Sequence, residues 1–269
     1  MGEEGVIVVR GKKQSDVASC CRRIHIKVLV YRRQQPFTHF LSIPFNSAEI
    51  RRNFLEFKKL VLEKCAVTCD IDESLFQEPA KLHLTLATMV LFSESERRKA
   101  QEVLNDCFKH VIRNYIADNG SVVAELSDLE IMNDDPGEVD VLYAKLWDEA
   151  GAGAQKLQEL CNGIVNYFHE HGLLDPGKDF GHEVKLHVTL MNSKFQAIKE
   201  ARTNTTGDSG DTDPIERRSF NARIVLKDLE RFRFGAQPIK SLHISQRHGR
   251  PAEDGYYMPT AVADFTKLI

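Results

Sequence analysis

Two hexapeptides carry the residues best suited to chemistry. They are Lys81-Leu82-His83-Leu84-Thr85-Leu86 and Lys185-Leu186-His187-Val188-Thr189-Leu190, which differ at one position. In an extended strand, residues two apart point to the same face. His83 and Thr85 therefore share a face, as do His187 and Thr189, while the leucines and Val188 point to the core. An imidazole titrates near pH 6.5, so a facing pair suits general acid–base work around neutrality. The threonine hydroxyls can donate to the non-bridging oxygens of a phosphate and stabilise charge as it develops. This chemistry needs no metal and no cofactor.

Other motifs are weaker. A third His-x-Ser triplet, His243-Ile244-Ser245, lacks the Lys-Leu frame. It and the following Arg247 are accessory candidates for the same site, against the plainer reading of a strand histidine and a surface arginine. His182-Glu183 precedes His187, but a zincin helix needs its second histidine four residues after the first, where Leu186 stands. His169-Glu170-His171 lies at a helix end, where residues two apart diverge. The chain has neither a Gly-x-Ser-x-Gly elbow nor a P-loop. No metal site is expected.

The elements that must position these strands are legible from periodicity. Residues 5–9 read as a strand and 15–33 as a helix. Thr38–Pro44 alternates as a strand, and Asn46 or Ser47 caps a helix to about Cys65. After the first His-x-Thr strand, Ser93 and Glu96 form a capping box, opening a helix to about Ile116. A strand begins at Val122. Asp134-Asp135-Pro136-Gly137 is a strong turn, after which the order restarts: strand 139–146, helix 152–171, the second His-x-Thr strand, a polar loop over 203–214, a short helix over 220–226, and strands over 231–234 and 239–245. The chain is thus an α+β protein built by duplicating a β-α-β-α-β unit. Its two lobes are expected to bring the His-x-Thr strands to a shared cleft.

Composition agrees with a globular domain: 42% hydrophobic, 28% charged and a net charge of −3. No apolar run approaches the roughly 20 residues of a membrane span, and the N-terminus lacks the order of a signal peptide. The six cysteines form no paired Cys-x-x-Cys array and read as free thiols. Charge is uneven, with eight Lys/Arg against three Asp/Glu over residues 1–37. Lys12, Lys13, Arg32 and Arg33 are candidate RNA contacts there; a solvated helix face is the equal alternative.

On both His-x-Thr motifs, residues 37–257 resemble the two-histidine phosphoesterase superfamily, whose bilobal α+β fold contributes one such strand from each lobe. The resemblance implies action on, or binding of, RNA or nucleotide phosphates, with His83 and His187 as acid and base and Thr85 and Thr189 as phosphate ligands. Gln35-Pro36-Phe37-Thr38-His39-Phe40, Met132-Asn133-Asp134-Asp135-Pro136-Gly137 and Leu242-His243-Ile244-Ser245-Gln246-Arg247 narrow it to members that follow an RNA-binding KH domain. That implies a nuclear assembly with a helicase subunit, serving transcription coactivation and alkylation-damage repair. It also implies a division at 36/37: residues 1–36 a KH-like last strand and helix, and 37–269 the two-histidine domain. The family's backbone-gripping Gly-x-x-Gly loop is not matched, so independent KH-type RNA binding is not expected.

Overall fold

The computed structural model describes residues 7–65, 69, 71–148, 154–174, 183–197, 217–266 and 268. Eight strands form one antiparallel sheet. They are β1 (His39–Pro44), β2 (His83–Met89), β3 (Val123–Ile131), β4 (Val141–Asp148), β5 (His187–Asn192), β6 (Arg233–Pro238), β7 (Ser241–Gln246) and β8 (Pro259–Asp264). Their spatial order is β6-β3-β4-β5-β2-β1-β7-β8. Helices among the described residues include α1 (Gln14–Gln34), α2 (Ala48–Cys65), α3 (Glu94–Cys107), α4 (Arg113–Asn119), α5 (Gln155–Glu170) and α6 (Arg223–Leu229), with a π turn over Phe108–Ile112 between α3 and α4.

The order reads as two four-stranded halves, β6-β3-β4-β5 and β2-β1-β7-β8, meeting where β2 pairs with β5. The expected duplication is present with one exchange. β3, the last strand of the first β-α-β-α-β unit, pairs with β4 of the second, while β7, late in the second, pairs with β1 of the first. Each half therefore owns one His-x-Thr strand and borrows a strand from the other repeat. Register shifts in β1, β3, β4 and β7 bend the sheet. Gln237 on β6 closes the curl: its amide donates to Pro44 O (2.7 Å) and its carbonyl accepts from Ser47 N (3.1 Å).

Alternation separates the two faces. Leu41, Ile43, Leu82, Leu84, Val188, Leu190, Leu142 and Ala144 are fully buried in the core, against the inward stripes of the helices. α2 contributes Ile50, Phe54, Phe57 and Val61, and α5 contributes Leu157, Leu160, Cys161, Ile164, Val165 and Phe168. The expected capping box forms at α3, with Ser93 and Glu96 each receiving the other's backbone N–H.

Three expectations are corrected. Residues 7–9 form no strand, being paired with neither edge strand of the sheet, and residues 5 and 6 lie outside the described residues. α6 and β6 begin two to three residues later than the periodicity suggests. The arginines and phenylalanines of 231–234 carry no phase that marks where the sheet edge starts. The loop at 203–214 lies outside the described residues. α1 forms as expected, but none of its residues is buried.

Leu84 and Val188 are the directly opposed residues of the β2–β5 seam, and both are fully buried. Leu84→Ala leaves a cavity where the halves join and should cost about 3 kcal/mol. A urea midpoint shift at unchanged slope would show it.

Candidate active site

Pairing of Leu84 with Val188 in antiparallel register fixes the site. His83 lies opposite Thr189, and Thr85 opposite His187. All four side chains project from the face away from the core, and all are partly exposed. The two histidines stand on a diagonal, which in such a ladder separates backbone positions by about 7–8 Å. A tetrahedral phosphate fits between them, with one imidazole on each side.

The two motifs orient their imidazoles identically. His83 Nδ1 lies 2.6 Å from Lys81 O, and His187 Nδ1 lies 2.8 Å from Lys185 O. A carbonyl only accepts, so Nδ1 carries the proton and Nε2 keeps its lone pair for the cleft. Neither Thr85 nor Thr189 spends its hydroxyl on a protein partner among the described residues, which leaves both free to donate.

The matched lysines also have a role. Lys81 Nζ lies 5.6 Å from the Tyr257 ring, which packs edge-on against His83 at 5.3 Å. Lys185 Nζ lies 4.7 Å from the Tyr143 ring, which packs edge-on against His187 at 5.3 Å. Each hexapeptide thus builds a lysine–tyrosine–histidine stack that limits ring rotation of its histidine. Phe40 and Tyr256 complete the wall around His83, at 5.2 and 6.4 Å. Around His187 the surroundings are ionic: Lys145, opposite it on β4, pairs with Glu130 at 3.1 Å.

The accessory candidates fall at different depths. His243 sits opposite Ser42, one strand beyond Thr85, with Nε2 2.9 Å from Ser241 Oγ and its ring 5.4 Å from Tyr256. Ser245 is fully buried and bonds Ser42 Oγ at 2.9 Å, which also accepts from the Tyr256 hydroxyl at 2.9 Å. Arg247 lies 4.3 Å above the Phe37 ring and donates to Phe37 O, tying down the entry to β1. Lys12, Lys13 and Arg33 are exposed at the two ends of α1. Arg32 pairs with Glu96 and stacks on Phe92.

Sequence reasoning missed Tyr143, Lys145, Tyr256 and Tyr257. The tyrosine pair had one readable signal, the Asp254-Gly255 turn before it. Gly255 has φ +84°, and a Cβ there would stand 3.0 Å from Ala80 Cβ. Only glycine allows this turn to press against the segment leading into His83, which delivers both tyrosines to the site.

Burial lowers the histidines. His83 is lowered to about 4, chiefly by desolvation, partly offset by its Lys81 carbonyl bond and reinforced by His187. His187 is lowered by desolvation, against its Lys185 carbonyl bond and with the Lys185 charge. His39 and His243 are lowered for the same first reason. Each then takes its proton more readily once unfolded. The associated stability is fully present above the unfolded value near 6.5 and is lost as pH falls toward 4. The thermal midpoint should therefore drop between pH 7 and pH 5, before carboxylates titrate, and His83→Gln should shrink that drop.

Comparison with known proteins identifies the family. A family described as the AKAP7 2'5' RNA ligase-like domain matches residues 37–265. The mouse protein "Activating signal cointegrator 1 complex subunit 1" is 40% identical over 248 residues, covering 91% of this chain and 68% of that protein. Among solved structures, TT0787 of Thermus thermophilus is 16% identical with TM-score 0.49, covering 84% of this chain and 97% of that one. E. coli LigT complexed with 3'-AMP is 15% identical with TM-score 0.46, covering 86% and 99%. With most of its length matched by the family and 40% identity to the mouse subunit, the chain belongs to the AKAP7 2'5' RNA ligase-like family of two-histidine phosphoesterase-like domains.

Proposed function

We propose that the chain is a metal-independent phosphodiesterase acting on RNA or nucleotide phosphates. The observation that carries this reading is the duplicated geometry: two imidazoles with Nδ1 tied to a carbonyl and Nε2 left for the cleft, each opposite a threonine hydroxyl that has no partner among the described residues. One Nε2 takes a proton from water or a ribose 2′-hydroxyl as that oxygen bonds phosphorus. The bond from phosphorus to the leaving oxygen breaks, and the other imidazole, protonated, gives that oxygen its proton. Thr85 and Thr189 donate to the non-bridging oxygens. His83, lowered to about 4 by burial, is in its basic form across the neutral range and takes the base role; His187 is the acid.

The biological setting is proposed from the narrower resemblance and the mouse relative's name. The chain serves as a subunit of a nuclear coactivator and alkylation-damage-repair complex with a helicase partner. Residues 1–36 are the end of a KH-like segment with α1 as its last helix, and residues 37–269 the two-histidine domain. The exposed apolar residues of α1, Ile26, Val28, Leu29, Val30 and Tyr31, fit a helix that belongs to another packing unit. Gly2-Glu3-Glu4-Gly5 has the Gly-x-x-Gly spacing, but it carries two carboxylates and precedes the expected strand. Two negative charges do not suit a phosphate grip.

A second reading, a nucleotide-binding scaffold without turnover, is favoured by one observation. Both imidazoles are lowered, so the free chain holds little imidazolium near pH 7. Catalysis then relies on the bound phosphate to raise His187.

Short RNAs ending in 2′,3′-cyclic phosphates or 3′-terminal phosphodiesters separate the readings. Turnover should survive EDTA and fall about 10²–10⁴-fold in His83→Ala and in His187→Ala. Binding without turnover in the parent chain would support the scaffold, and turnover in the double variant would refute this site.

The pH profile gives an independent check. kcat/KM rises with pH as His83 loses its proton through about 4, and falls as His187 does so below 6.5. Its maximum should lie on the acid side of pH 6.5.

A further inference from the structure

Two cavities of about 540 Å³ flank the His83 end of the site. Tyr256 lines one and Tyr257 the other, so consecutive side chains divide them. The Tyr256 cavity has the His243 ring as its second aromatic wall, but Tyr256 is itself 2% exposed with its hydroxyl committed to Ser42, and His243 Nε2 lies 2.9 Å from Ser241 Oγ. The Tyr257 cavity has three aromatic walls, Phe76, Phe195 and Tyr257. Its volume suits a flat heterocycle, as ligand pockets run about 300–1,000 Å³. Its charges are paired: Lys58 with Glu73 at 3.5 Å and Lys81 with Glu78 at 2.7 Å. A pocket neutralised in this way favours an uncharged aromatic group over a second phosphate.

The pocket's polar groups face one way. Gln77 is 8% exposed, and its carbonyl oxygen accepts Glu78 N–H at 3.0 Å. One amide N–H is given to the Tyr257 oxygen, so what Gln77 can present to a ligand is its second amide N–H. The Tyr257 hydroxyl, which burial keeps protonated and which Gln77 faces, is the second polar group. Gln77 also anchors the pocket to the catalytic strands, because its backbone N–H donates to Leu190 O at 2.9 Å, next to Thr189. The Tyr257 ring is shared with the site, lying 5.3 Å from His83.

We infer that this cavity holds the nucleobase beside the reacting phosphate, and that Tyr257 and Gln77 select bases with a carbonyl edge. Resting on the phosphodiester reading above, the inference names the substrate class that reading left open. Uracil and guanine present carbonyl acceptors to the two donors. Adenine presents an amine at the corresponding edge and leaves a donor unpaired. Tyr257 and Gln77 are thus specificity-determining residues, and Phe76 and Phe195 supply the stacking walls.

The test measures binding and turnover separately on the whole chain. Uridine, guanosine and adenosine 3′-monophosphates and abasic ribose phosphate are titrated by calorimetry. Matching dinucleotides are assayed for cleavage. Uridine and guanosine ligands should bind about three- to tenfold more tightly than adenosine, the effect of one neutral hydrogen bond. Tyr257→Phe, which keeps the ring against His83, should bring that ratio close to one, and Gln77→Leu should lower it. Phe195→Leu should weaken base-bearing ligands more than the abasic one. Equal binding of all bases, or a ratio unchanged in both Tyr257→Phe and Gln77→Leu, overturns the inference. Base-selective binding with no cleavage of any dinucleotide keeps the pocket and overturns the enzyme reading. Cleavage that ignores the base does the reverse.

Discussion

The antiparallel contact between β2 and β5 is the constraint on which the site depends. Strand faces alternate with period two, so a slip of one residue in either strand would turn that strand's histidine into the core and away from the other. Leu84 and Val188 prevent this: both are fully buried, directly opposed and fixed by the core beneath them. Their neighbours then have no freedom of placement. His83 must face Thr189, and Thr85 must face His187. Neither repeat alone has a complete site, because each histidine's opposite hydroxyl comes from the other half. The exchange of β3 and β7 between halves ties the two repeats together across the same seam, and the Gln237 bonds to Pro44 and Ser47 close the curl behind it.

Orientation of the rings is a separate problem with a local solution. A strand histidine can rotate about two bonds. Here the carbonyl two residues earlier takes the Nδ1 proton, and a tyrosine edge limits the remaining rotation. The matched lysine above each tyrosine holds that ring. The cost falls on the protonation equilibrium. Rings walled in by Phe40, Tyr256 and Tyr257 are desolvated, and the charged form is disfavoured. The arrangement thus trades acid strength at rest for orientation. Under the proposed mechanism, an anionic phosphate in the cleft would supply the compensating charge and couple protonation of the acid to occupancy.

Much of this was legible in the chain. The repeated Lys-Leu-His-x-Thr-Leu frame gave the two strands, their faces and the four central side chains, because alternation is a local property. Helix stripes and the Ser93–Glu96 box were readable for the same reason. What was not legible came from distant segments. Tyr143 and Lys145 reach His187 only through the β4–β5 register, and Tyr256 and Tyr257 arrive through the Asp254-Gly255 turn, far from His83 in sequence and in a stretch without periodicity. The expected strand over 5–9 failed where it could be described, because a strand is stabilised by its neighbour and local composition does not supply one. Ser245 read as an accessory candidate for the site, against the plainer reading of an ordinary strand residue. Its spacing was right, but its strand lies beyond β1 and β2 from β5, and its hydroxyl is used by Ser42.

The two halves are also unequal in a way that the register explains. Tyr143 stands opposite Thr189, and in the other half the corresponding place opposite Thr85 is taken by Ser42. A serine cannot wall a histidine. The gap it leaves admits Tyr256, whose hydroxyl lands on Ser42 Oγ, and brings Tyr257 against His83 in the role that Tyr143 plays for His187. Likewise Lys145 lies opposite His187, while Pro44 lies opposite His83. One half is therefore ionic and self-contained; the other is apolar and completed by the C-terminal segment. A symmetric pair of histidines thus receives an asymmetric setting. Under the proposed mechanism, a substrate with a flat apolar end and an anionic end would lie across it in one direction, and this asymmetry would separate the roles of two nearly identical motifs.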